Sequence, residues 1–225
     1  MAVIHHTTLT PTKLELLATW LPEQPWYRGT SGQQPELVKS GGFRLDDPEG
    51  EVGIEFMAVT DTSGDQPVTY HVPFSYRGAP VPDADAALIG TTEHGELGQR
   101  WVYDGTRDPV LVAQLFALIV GKAEPQMQST SHTPDPSVTA WFAESGARAA
   151  IADTAATDDP GGTDLIVRTA ADGRRLAIHI NRVLQPGGRD TEGQAAVLGH
   201  VTAGWPLPDG TSSRAVFAVV RLAHP

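Results

Sequence analysis

The stretch Asp158–Ile180, DDPGGTDLIVRTAADGRRLAIHI, decides how this chain is read. It opens on an Asp-Asp-Pro turn and runs into a β-branched segment. It turns again at Asp172-Gly173, then alternates Leu176, Ile178 and Ile180 on one face with Ala177, His179 and Asn181 on the other. Alternation of period two between Gly and Pro punctuation predicts an antiparallel hairpin with one buried face. The same order stands earlier, from Asp46 to Val72: DDPEGEVGIEF, the turn TSGDQP, then VTYHV. Further along, LIGTTEHGELGQRWVYDGT (Leu88–Thr106) faces VLGHVTAGWPLPDGT (Val197–Thr211). Ordered recurrence of this kind predicts a diverged duplication. The two halves, Asp46–Thr106 and Asp158–Thr211, are then expected to superpose with a shared strand order and with Trp101 near the place of Trp205.

Outward from these hairpins, a helix is expected over Pro11–Trp20, with Thr10 as N-cap and Leu14, Leu17 and Leu21 on one face. Strands follow at Gly42–Leu45, Val52–Thr60 and Val68–Tyr76. Gly78–Ala86 reads as a loop, and Leu88–Thr92 and Gln99–Tyr103 as strand pieces. Asp108-Pro109 opens a second helix, Val110–Val120, stopped at Gly121. The polar stretch Lys122–Pro136 reads as a linker. Beyond it, Ser137–Glu144 is expected to be a short helix, and Ala147–Ala152, Asp164–Thr169, Arg175–Leu184, Ala195–Ala203 and Arg214–Ala223 strands. The fold class expected is α+β: antiparallel β-sheets with packed helices, in two related cap-like halves, 1–127 and a β-rich 128–225 that is a diverged duplicate of the first.

The 225 residues include no cysteine, 23 glycines and 18 prolines, and 40% of them are apolar. Such a composition is globular and rich in turns, and it excludes thiol nucleophiles, disulfides and Cys-based zinc sites. Sixteen basic against 27 acidic residues leave a net charge of −11. An acidic surface repels phosphate backbones and anionic lipid heads, so neither nucleic acid nor membrane is expected as a partner. MAVIHHTTLT has the features of no signal peptide, and Val110–Val120 is too short to span a bilayer, so the cytoplasm is the expected location.

The first half resembles the N-terminal cap domain of maltokinases, bacterial enzymes that phosphorylate maltose on the route from trehalose to glycogen-like glucans. The residues that carry the likeness are LTPTKLELLATWLPEQPWY, GGFRLDDPEGEVGIEF, VPFSYRGAPV and LIGTTEHGELGQRWVYDGTRDPV, within about residues 1–121. The resemblance implies an α+β module that sits on the nucleotide-binding lobe of a kinase-like body. The residues after 127 are too few for two kinase lobes. G-x-G-x-x-G, Walker A, His-x-Asp and Asp-Phe-Gly-like motifs are not legible. LAIHINRVL (Leu176–Leu184) is similar to the kinase strand that carries the phosphate-pairing Lys, but His179 stands in the Lys place.

Catalytic chemistry is therefore not expected, nor a cofactor or metal. His5-His6 read as surface residues, and Ser75, Ser145, Ser212 and Ser213 lack a nucleophile setting. Asp46-Asp47 and Asp158-Asp159 read as turn carboxylates rather than a glycosidase pair, which needs two acids facing across a cleft. The candidate binding surface is Arg77, Glu93, His94, Glu96, Arg100 and Asp104, which string charge along a Pro-rich loop and aromatic strand ends. Trp26-Tyr27 and Trp101/Tyr103 suit either a core or a sugar face; on strand Gln99–Tyr103, Trp101 and Tyr103 share one side and are assigned to the core. The expected role is that of a non-catalytic cap-like interaction or regulatory protein of trehalose/maltose-to-glucan metabolism. The expected partner is a protein of that metabolism or an α-glucan. A malto-oligosaccharide-binding module is the alternative, and a maltokinase-like phosphotransferase with an unrecognised site the third reading.

Overall fold

A computed structural model describes residues 8–30, 32–144, 150–187, 196–207 and 211–223. The elements in chain order are β1 (Leu9–Thr10), α1 (Lys13–Trp20), β2 (Leu37–Leu45), β3 (Gly53–Asp61), β4 (Val68–Arg77), β5 (Leu88–His94), β6 (Gly98–Asp104), α2 (Pro109–Ile119), β7 (Gln126–Met127), β8 (Thr139–Phe142), β9 (Ile151–Asp159), β10 (Gly162–Thr169), β11 (Arg175–Asn181), β12 (Val183–Leu184), β13 (Gly199–Pro206) and β14 (Ser212–Leu222). Strand accounts for 48% and helix for 14%, in curled antiparallel sheets, so the fold is all-β and not the α+β class expected from sequence. The helix-start signals are real. Thr12, rather than Thr10, caps α1 in a reciprocal capping box with Glu15, and Asp108 caps α2. Both helices are short: α1 gives way to a 3₁₀ turn at Leu21–Glu23, and α2 stops at Gly121, whose φ of +73° suits a residue without a side chain.

The first sheet has the order β1-β5-β6-β4-β3-β2-β7, with β12 added beside β4; the second runs β8-β13-β14-β11-β10-β9. Every pairing is antiparallel. With β7 and β12 set aside, the two sheets carry their strands in the same chain order, β2 answering to β9, β3 to β10, β4 to β11, β5 to β13 and β6 to β14. The finer correspondence expected from the sequence does not hold. Trp205 lies on β13 and Trp101 on β6, which are not equivalent strands. Arg214–Ala223, expected as a strand, falls in β14 but for its last residue and answers to β6. Asp209 and Gly210 of the second Asp-Gly-Thr landmark, like His5, His6 and the start of the Ala147–Ala152 strand, lie outside the described residues.

The Asp-Asp-Pro hairpins do match. Asp47 accepts from the amides of Glu49, Glu51 and Val52, and Asp159 from those of Gly161 and Gly162. These carboxylates fold turns, as expected.

One core lies between the sheets. Phe43, Leu45, Ile54, Phe56 and Ala58 of the first sheet meet Leu165, Val167, Ile178, Val201, Trp205 and Phe217 of the second, with α2 filling one side. A smaller core on the outer face of the first sheet buries Met57, Val59, Tyr70, Val72, Phe74 and Val102 under Leu17, Leu21 and Trp26. The polar stretch read as a linker doubles back on itself: Met127 N–H donates to the Thr133 carbonyl and Asp135 N–H to the Pro125 carbonyl. Ser137–Glu144 is not a helix. Thr139–Phe142 pairs with β13 as an edge strand, and sheet pairing overrides its local propensity.

Candidate functional site

The six residues expected to form one binding surface divide into three groups. Glu93, His94 and Glu96 gather at the tip of the β5–β6 hairpin, where Glu93, Glu96 and Leu97 are exposed. The tip is shaped by His94, whose Nδ1 accepts from the amides of Glu96 (3.3 Å) and Leu97 (3.1 Å), and by Gly98 at φ +68°. Arg100 is half-buried farther down the hairpin, opposite Thr92. Its Nη1 lies so near Gly78 that a Cβ there would come within 2.5 Å of it.

Arg77 and Asp104 belong to ion pairs instead. The Arg77 fork donates through Nε and Nη2 to both oxygens of Asp108, each at 2.8 Å. Burial by itself pushes the Asp108 carboxyl up; the hydrogen bonds from Arg77 and Ser75, the Arg77 charge and the Val110 amide together outweigh it, leaving its pKa lowered. Asp108 also caps α2 through the Val110 amide, so Arg77 holds the start of that helix. Asp104 is buried. It accepts from the Thr106 amide and hydroxyl through Oδ1, and from Arg182 Nη2 at 2.5 Å through Oδ2. Trp101, assigned to the core, is half-buried and lies outside both clusters, whereas Tyr103 is buried and its hydroxyl accepts from the Val81 amide at 2.9 Å. Trp26 is core, 1% exposed, and Tyr27 donates its hydroxyl to Asp61 at 2.9 Å.

Three constellations escaped the sequence reading. The first is Glu55 on β3, a buried carboxylate that accepts from Lys13 Nζ (2.5 Å), the Tyr76 hydroxyl (2.6 Å) and Gln128 Nε2 (2.9 Å). Burial would raise its pKa, but the Lys13 charge and the Lys13 and Tyr76 hydrogen bonds win, and it is lowered. This cluster pins α1 and the segment after β7 to one strand. The only signal in the sequence was a Glu inside an apolar run, GIEFMAV.

The second is His71 on β4, facing the shared core between Phe56 and Phe217, at ring-centroid distances of 6.0 and 4.5 Å. Its Nδ1–H donates to the Asn181 carbonyl at 3.2 Å. Desolvation, then the nearby Arg182 charge, depress its pKa to about 3, so the ring is neutral. The third is the outer face of the second sheet. There His179 Nδ1 lies 2.7 Å from Asp164 Oδ1, and Trp141 stands beside His200.

Among the described residues no group of three or more His, Asp or Glu is arranged to hold a metal ion, and no helix is long and apolar enough to cross a membrane. Residues 20–108 match the family model of the maltokinase N-terminal cap domain. The matched segment runs from the last residue of α1 to the N-cap of α2 and so contains β2 to β6, the body of the first sheet.

Proposed function

We propose that this chain, which the cap-domain match over residues 20–108 links to maltokinase-related trehalose and glucan metabolism, acts there as a non-catalytic, cap-like interaction module that docks on an enzyme of the pathway. The observation that carries this reading is architectural. Strands β8 to β11, β13 and β14 form a second sheet whose strand order repeats that of the cap sheet, and the two share one core. The reading therefore takes the protein as a duplicated cap, its halves meeting near residue 127. Its polar side chains also favour scaffold over chemistry. Glu55, Asp104 and Asp108 are each buried and held by cations.

The docking face in this reading is the β5–β6 hairpin tip, a charged and partly apolar knob on a rigid sheet. The test is capture from an extract of the source cells with full-length tagged protein, followed by mass spectrometry. The expected result is an enzyme acting on maltose, trehalose or an α-glucan, lost with the triple substitution Glu93→Ala, Glu96→Ala, Leu97→Ala. ATP-dependent phosphorylation of maltose by the pure protein, abolished by a single substitution, would overturn the non-catalytic reading.

A further inference from the structure

One row of cross-strand partners crosses all six strands of the second sheet: Thr157, Asp164, His179, Val219, His200 and Trp141. These positions alternate with Val201, Ala218, Ile178 and Leu165, whose buried side chains make up the core between the sheets, and on β8 with Phe142, which packs against that core, so the row lies on the opposite, outer face. At its end Trp141 is 48% exposed, its ring centroid 5.7 Å from that of His200 at an interplanar angle of 37°.

The next positions on the same face are Thr139 and Thr202, whose hydroxyls are 2.7 Å apart. Arg214 Nη2 donates to both hydroxyls, at 2.6 and 2.7 Å, while Nη1 donates to the Ser137 carbonyl. An exposed indole is thus set in a fixed frame of hydroxyl, imidazole and guanidinium groups.

Such a frame has the chemistry of a sugar platform. A pyranose offers a C–H face to an aromatic ring and a rim of hydroxyls to polar neighbours. A neutral ligand suits it better than an anion, because Arg214 already spends both terminal nitrogens on protein oxygens and the chain carries a net charge of −11. We propose that this platform binds glucose units of a neutral α-glucan, a pyranose lying on Trp141 with its hydroxyls toward His200, Thr202 and Arg214. The α-glucan assignment rests on the metabolic link of the reading above.

The test is affinity electrophoresis of the full chain in gels containing glycogen, with calorimetric titration of maltoheptaose. The wild type should be retarded and should bind. Trp141→Ala should weaken binding at least tenfold with an unchanged melting temperature, and Trp141→Phe should keep part of it. Absence of retardation, or wild-type affinity in Trp141→Ala, overturns the proposal. Equal binding of cello-oligosaccharide overturns the α-glucan assignment. A wild-type dimer in ultracentrifugation that Trp141→Ala dissociates, without glucan binding, gives the face to a second copy instead. Trp141→Ala should still capture the pathway enzyme; loss of capture by the hairpin triple variant alone concerns docking, so the two readings fail separately.

Discussion

Arg182 Nη2 sits 2.5 Å from Asp104 Oδ2, joining positions 78 residues apart with side-chain exposures of 0% and 4%. Arg182 also donates from Nε to Thr163 and from Nη2 to Thr106, and its guanidinium lies 4.9 Å from the Trp26 ring centroid. Removing one partner of a buried pair strands the other charge, at a cost of about 3–5 kcal/mol. Arg182→Ala and Asp104→Ala should each lose that much in urea denaturation. The double variant should lose less than the sum; additive losses would show that the pair is not coupled.

Acid should weaken the fold before the carboxylates titrate. The folded-state pKa of His71, about 3, lies below its ordinary value of 6.5, so the unfolded chain takes up the proton first. Its contribution is complete above pH 6.5 and is lost as pH falls toward 3, at about 1.4 kcal/mol per pH unit. Glu55 acts in the same sense lower down: its pKa is lowered by folding, so its contribution is present above the ordinary carboxylate range and lost as pH falls through the folded value. Denaturant midpoints at pH 7.5 and 5.0 should differ in the wild type and differ much less in His71→Phe.

Adjacent residues on β6 give a contrast with a buried ring elsewhere. Trp101 is only half-buried, so Trp101→Ala should cost about 1–2 kcal/mol. Trp26→Ala, at 1% exposure, should cost about 3–5 kcal/mol. Arg100→Ala should leave the melting temperature nearly unchanged. A larger loss for Trp101→Ala than for Trp26→Ala would reverse the burial assignment.

Asp108 combines a helix cap with an ion pair, and two substitutions separate them. Asp108→Asn keeps a capping oxygen but loses the charge facing Arg77. Asp108→Ala loses both, and should be the less stable of the two by about 1 kcal/mol in thermal melts. Equal melting temperatures would mean that the cap contributes nothing.

The hairpins were legible because their signals are local: the Asp-Pro turns, the Gly turns and alternation such as Leu176-Ile178-Ile180. The order of strands across each sheet was not, since β6 takes its place beside β4 through a contact that no neighbouring residue announces. The Arg175–Leu184 strand breaks at Arg182, where the chain leaves the second sheet and joins the first. Asp104 looked exposed beside two aromatics, and what buries its charge arrives from far along the chain. Trp141 was hidden in a segment with helical composition, and only pairing with β13 sets its ring on the outer face. Charge alone did not announce that Arg77 is tied to Asp108, nor that Asp104 is buried against Arg182.

The two residues of β12 carry a consequence for synthesis. Val183 and Leu184 lie beside Tyr70 and Thr69, and the Arg182 carbonyl accepts from the His71 amide at 2.9 Å. On the ribosome, the side of β4 at Thr69–His71 that turns away from β3 has to wait, with the His71 amide unmatched, until more than a hundred further residues have emerged. An open edge held that long invites pairing with a neighbouring nascent chain. Translation speed through the second half then bears on how long that edge stays open to a neighbouring chain.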